Sequence, residues 1–180
     1  MRLFVALEVP DSWREAASEV RRALESALDA ATGGPDNAAR LRWVAPELLH
    51  LTLRFIGEVD QDQGERVQQA LDAIGPVDLD LSLGEAGTFG SAARTQVVWL
   101  AVGGNEEGLH ALADRVEQAV AGTGLPADER AFRAHLTLAR VHRRATGQQR
   151  TAIAEAVSAL EAPDASLLHA KSLVLVRSYV

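Results

Sequence analysis

The tetrapeptide His-Leu-Thr-Leu occurs twice in this chain, at residues 50–53 and 135–138. The copies lie 85 residues apart in a chain of 180, one in each half. Each sits in an apolar, β-rich run that reads as a strand. Side chains in a strand alternate faces, so His50 and Thr52 project together while Leu51 and Leu53 point the other way; the same holds for His135 and Thr137. The leucines can anchor each strand in a core while the polar pair faces a groove. A pseudo-twofold relation between the halves would then bring two imidazoles and two hydroxyls to one cleft. By the same parity Arg54 shares the face of His50, and Arg133 that of His135. Arg130, Phe132 and Arg140 have the other parity and would need a strand end or a bulge to reach the cleft. A lone His-x-Thr arises often by chance; two copies with identical leucines in equivalent settings do not.

The remaining segments supply the frame. Arg2 to Val9 reads as a strand stopped by Pro10, followed by a helix with Trp13, Ala16, Ala17, Val20, Leu24 and Leu28 as its apolar stripe. Residues 31–37 read as a loop. Leu48 to Ile56 reads as a buried strand, and Asp60 to Ile74 as a helix ended by Gly75-Pro76. Asp78 to Leu83 alternates strictly, Gly87 to Arg94 reads as a turn, and Thr95 to Val102 reads as a strand. Asn105 begins a helix striped by Leu109, Leu112, Val116 and Val120. Phe132 to Val141 is a further strand. Thr146 and Gln149 have capping-box spacing ahead of Ile153 and Val157. A last strand is predicted within Ser166 to Tyr179. Short turns between neighbouring strands favour antiparallel pairing, which makes the fold class α+β. No linker separates independent domains, so residues 1–180 are expected to form one bilobal domain.

Composition limits the function. Hydrophobic residues at 47% and charged residues at 24% are the balance of a soluble globular protein. No apolar run approaches the ~20 residues of a membrane helix, and the first eight residues are too short an apolar stretch for a signal peptide. The absence of cysteine excludes disulfides, thiolate zinc sites and a cysteine nucleophile. The formal net charge of −7 argues against coating nucleic acid by bulk electrostatics. Arginine is nonetheless concentrated locally: Arg130, Arg133, Arg140, Arg143 and Arg144 fall in one stretch without an acid, and Arg40, Arg42 and Arg54 in another, offset only by Glu47. Such clustering suits a small anionic ligand or a single RNA end. There is no His-x-His, His-Glu-x-x-His or acid-rich ligand cluster, so neither a metal nor a cofactor is expected.

The paired motifs resemble those of the two-histidine (2H) phosphoesterase superfamily, and the similarity extends further. Arg2 to Leu7 with Pro10 is similar to the opening strand of the RNA 2',3'-cyclic phosphodiesterases, also called 2'-5' RNA ligases. Arg42-Trp43-Val44 and Leu49 to Val59 resemble that family's first motif, Val97 to Leu100 its central strand, and Phe132 to Arg140 its second motif. Two features depart from the family pattern. Ala134 stands where a proline usually precedes the second histidine, and the family's final Gly- and Tyr-bearing extension is missing beyond Val180.

The resemblance implies a bilobal, pseudo-twofold fold with two mainly antiparallel sheets lining a central cleft and helices packed outside. It implies a hydrolase of RNA 2',3'-cyclic phosphate ends that leaves a 2'-phosphate, with reversible 2'-5' ligation as the same chemistry run backwards. His50 is then the acid that protonates the leaving oxygen and His135 the base that activates water, while the residues alone leave these roles open. Thr52 and Thr137 would donate hydrogen bonds to the phosphoryl oxygens. Arg54 and Arg130 are the first candidates for an added charge-assisted contact, with Arg133 and Phe55 as further substrate contacts. Packing is the competing role for Phe55 and Trp43. The expected partners are RNA ends or small nucleotides bearing a 2',3'-cyclic phosphate, and a cytoplasmic monomer is expected. Rival readings are a phosphodiesterase for another cyclic nucleotide or an ADP-ribose cyclic phosphate, and a non-catalytic RNA-end binding protein.

Overall fold

The opening strand β1 (Arg2–Glu8) is buried along five consecutive residues. A run of Leu, Phe, Val, Ala and Leu with no polar face can only sit in the middle of a sheet. In the computed structural model, which describes residues 1–32 and 40–178, it does so. Helix α1 (Asp11–Thr32) follows, with Trp13, Ala16, Ala17, Val20, Leu24 and Leu28 all buried. Trp13 also donates its indole N–H to the Ser166 carbonyl at 2.9 Å, which satisfies its one polar atom. Truncating Leu24 or Leu28 to alanine would cost about 2–5 kcal/mol. The predicted loop at 31–37 falls mainly outside the described residues.

The other elements are β2 (Leu41–Trp43), β3 (His50–Glu58), α2 (Gln61–Asp72), β4 (Leu79–Phe89), β5 (Val97–Gly104), α3 (Glu106–Gly122), β6 (His135–Val141), α4 (Gly147–Ser158), β7 (Leu168–Ala170) and β8 (Val174–Ser178). Helix starts follow the local chemistry read from sequence. The Asp60 side chain caps α2, that of Asn105 caps α3, and Thr146 with Gln149 forms a reciprocal capping box at α4. Two readings are corrected: β4 runs on to Phe89, through residues read as a turn, and the last strand is two, β7 and β8. A short strand that sequence reading did not assign, Leu41–Trp43, is added.

All strand pairs are antiparallel, in the order β7-β4-β5-β6-β3-β1-β8, with β2 added alongside β6. The run β1-α1-β3-α2 is repeated by β5-α3-β6-α4. The strand after the first run, β4, pairs with β5 of the second. The last strand, β8, pairs with β1 of the first. Each half's third strand therefore belongs to the other half in sequence. The two expected sheets are joined edge to edge, through a single registered pair between β3 and β6, Leu51 opposite Leu136. Elsewhere these two strands diverge, β3 remaining with β1 and the far end of β6 with β2.

Candidate active site

That single pair determines the geometry. Residues directly opposite in an antiparallel ladder share a face. Leu51 and Leu136 are fully buried on the core side, with Leu53 and Leu138 beside them. The residues flanking each leucine must then point to the other side. Counting outwards along antiparallel strands, His50 lies towards Thr137 and Thr52 towards His135. Both His-Thr pairs thus project from one face of the sheet, on either side of its narrowest seam. All four residues are half-buried. Among the described residues neither threonine hydroxyl has a hydrogen-bond partner, so both are free to donate.

The two imidazoles are held identically. Each Nδ1–H donates to the carbonyl two residues earlier, His50 to Leu48 at 2.7 Å and His135 to Arg133 at 2.6 Å. A carbonyl can only accept, so Nδ1 carries the proton and the lone pair of each neutral ring lies on Nε2. Burial pushes both imidazoles below the ordinary histidine value, and the backbone hydrogen bond opposes this in each. At His135 the positive charge of Arg140 lowers it further.

Aromatic rings complete the walls. Phe4 of β1 stacks on His50, with centroids 4.5 Å apart and planes at 28°. Phe89 of β4 meets His135 edge-on at 4.8 Å, with Trp99 behind at 6.5 Å. The indole of Trp99 lies across Gly87, where a Cβ would overlap the ring. Glycine is therefore required at 87 for the indole to lie flat on β4.

The arginine expectations divide. In β3 the register against β1 jumps from Thr52–Ala6 to Arg54–Val5, so Leu53 is an extra residue. This bulge turns Arg54 away from the cleft and into the core, where it is 9% exposed. Its guanidinium donates to the carbonyls of Phe55 and Pro126 and pairs with Glu117, with Asp128 at 3.6 Å. Arg54 is a structural residue, and the parity that set it beside His50 is overturned. The next residue, Phe55, emerges on the cleft face opposite Phe4 and is 44% exposed.

Strand β6 carries the equivalent bulge. Its register against β5 jumps from Trp99–Thr137 to Val98–Ala139, leaving Leu138 extra. Leu138 and Ala139 are both buried, and Arg140 comes round to the face of His135. The condition set by parity, that Arg140 needs a bulge to reach the cleft, is met. Arg130 does not reach it: 76% exposed, its side chain is engaged in two hydrogen bonds with Asp128 at 2.9 and 2.8 Å. Hydrogen bonds from Arg130 hold the Asp128 carboxyl at about 2. Arg133 borders the site, its guanidinium 5.9 Å from the Phe89 ring centre. Sequence reading missed the ring partners Phe4, Phe89 and Trp99.

Among the described residues no group of three or more His, Cys, Asp or Glu is placed to hold a metal ion, and no helix is long and apolar enough to cross a membrane.

Known proteins resemble this chain in sequence and fold. An Archaeoglobus fulgidus protein named RNA 2',3'-cyclic phosphodiesterase is 34% identical over 145 residues, 80% of this chain and 74% of that protein. The crystal structure of E. coli LigT complexed with phosphate matches with a TM-score of 0.66 at 26% identity, covering 97% of this chain and 84% of that one. A Thermus thermophilus structure has the same fold, with a TM-score of 0.70 at 21% identity, covering 100% of this chain and 90% of that one. The family model of the 2'-5' RNA ligase superfamily matches residues 9–179, and the chain belongs to that superfamily.

Proposed function

We propose that this protein opens RNA 2',3'-cyclic phosphate ends to 2'-phosphates by metal-independent acid-base catalysis, with 2'-5' joining as the reverse reaction. The observation that carries this reading is the common face of the two His-Thr pairs, each imidazole presenting Nε2 as its reactive nitrogen. Hydrolysis of a cyclic phosphodiester needs a base for the attacking water, an acid for the leaving ribose oxygen, and donors for the equatorial oxygens. His135 Nε2 takes a proton from water as its oxygen bonds to phosphorus. The bond from phosphorus to the 3' oxygen breaks, and His50 Nε2–H protonates that oxygen. Thr52 and Thr137 donate to the phosphoryl oxygens.

The asymmetry around the two rings supports these roles. Arg140 opposes protonation of His135 alone, which suits a base. The equivalent position beside His50 is Phe55, so the arriving anionic phosphate can hold a proton on His50 without competition from a neighbouring cation. Phe55, tilted beside Phe4 at 6.0 Å and partly exposed, suits stacking on the terminal base. Arg133 suits an outer substrate contact. The exchanged third strands support one functional unit across residues 1–180, and since both His-Thr pairs come from one chain, a monomer suffices. Its place is with cellular RNA in the cytoplasm.

The test is incubation with an oligoribonucleotide ending in 2',3'-cyclic phosphate, in EDTA, beside His50→Ala and His135→Ala. A 2'-phosphate product from wild type alone is expected. An intact cyclic end with wild type would overturn the substrate, and turnover by both variants would overturn the mechanism.

A further inference from the structure

An open depression of about 490 Å³ adjoins the site where β5 begins and β6 ends. Its walls include Arg94, Gln96, Val97, Arg140, Arg143 and Arg150, and among the described residues no acidic side chain lines it. Val97 lies opposite Phe89, the ring that touches His135, and Arg140 stands on the His135 face, so the depression continues the cleft. The guanidinium of Arg150 is consumed structurally, donating to the carbonyls of Thr95, His142 and Ala145. The others are not. Arg94, Arg140 and Arg143 are exposed, and among the described residues none has a carboxylate partner.

The register adds an unusual feature. Arg42 of β2 sits directly across from Arg140 of β6, and it too has no carboxylate partner among the described residues. Like charges placed opposite in a ladder repel and destabilise the pair. Such a pair, beside two further arginines without carboxylate partners in a protein of net charge −7, favours an anion lying across it.

Resting on the RNA-end reading above, we propose that this depression seats a second phosphate of the substrate, the phosphodiester one or two nucleotides before the cyclic end. Thr137 and Arg140 are three strand residues apart, on the order of 10 Å, so one phosphate can occupy the His-Thr pairs while another lies in the depression. The RNA then leaves the reaction centre on the His135 side, with its terminal base towards Phe55. Oligonucleotides are better substrates than nucleoside 2',3'-cyclic phosphates, which have no second phosphate to offer.

The experiment compares kcat/KM for a nucleoside 2',3'-cyclic phosphate and for a trinucleotide with the same end, in wild type and in Arg94→Gln/Arg143→Gln. Neutralising these two guanidinium groups is expected to lower the trinucleotide value about tenfold, mainly through KM. Mononucleotide turnover should stay within about twofold. The dependence of log affinity on log salt should flatten by about 0.7, for the one phosphate no longer neutralised. Arg94→Lys/Arg143→Lys should recover most of the activity. Equal effects on both substrates, or none on the trinucleotide, would overturn the proposal. If wild type turns over neither substrate, the RNA-end reading fails separately. Binding of a labelled trinucleotide 3'-phosphate at low salt then decides: weakened affinity in the Gln variant supports the second phosphate site, and unchanged affinity removes it.

Discussion

The strands β3 and β6 carry the same tetrapeptide, the same carbonyl-anchored histidine and the same bulge after the threonine, yet the cleft walls they build differ in chemistry. On the His50 side the bulge buries Arg54 and turns out Phe55. On the His135 side it buries Ala139 and turns out Arg140. The backbone device is shared, and only the side chain it delivers has changed. A symmetric pair of imidazoles therefore sits between an aromatic wall and a cationic one. The supporting rings follow suit, Phe4 stacking face to face on His50 while Phe89 and Trp99 meet His135 edge-on. Equal donors in unequal surroundings are what acid-base catalysis needs, since one ring must hold a proton while the other lacks it.

The strongest test of the shared part is deletion of either imidazole. His50→Ala and His135→Ala are each expected to lower kcat by about 10²–10⁴-fold, with unfolding midpoints unchanged. A large loss from one and none from the other would break the equivalence of the two halves.

The flanks should respond differently. Arg54→Ala removes the buried cation beside Glu117, while Asp128 keeps Arg130, and should destabilise the fold by about 1–3 kcal/mol in denaturant unfolding. Once folded, the variant should keep its KM. A raised KM with normal stability would return Arg54 to the cleft.

Gly87→Ala acts on the other half alone. Its Cβ would collide with the Trp99 ring, and displacing the indole should cost about 1–3 kcal/mol. Activity should fall through disturbance of the His135 side, while the Phe4–His50 stack stays intact.

The smallest effect is on pH dependence. Since the base must be neutral, the acid limb of kcat/KM in wild type should lie below the ordinary histidine value, as burial and Arg140 both disfavour the imidazolium of His135. Arg140→Gln removes one of these influences and should move that limb to higher pH. Phe55→Leu, which changes no charge, should leave it in place.

Legibility from sequence was uneven for physical reasons. The common face of each His-Thr pair could be read because strand parity is local and both copies keep it. Helix starts at Asp60, Asn105 and Thr146 could be read because a cap is a contact within four residues. Arg54 was misplaced because a bulge depends on a partner strand far away in sequence, and one extra residue flips every side chain beyond it. The β4 strand was cut short because Gly87 to Arg94 read as a turn, while Gly87 is there to admit the ring of Trp99. The strand at Leu41–Trp43 was invisible because three residues carry too little pattern, and it forms only as an edge of β6.

By itself, then, the sequence determined which residues could react and that each His-Thr pair shares a face, because alternation along a strand needs no partner. Tertiary structure decided that both pairs share one face, through the single Leu51–Leu136 register. It also decided which of Arg54, Phe55, Ala139 and Arg140 reach the cleft, since a bulge exists only between two paired strands.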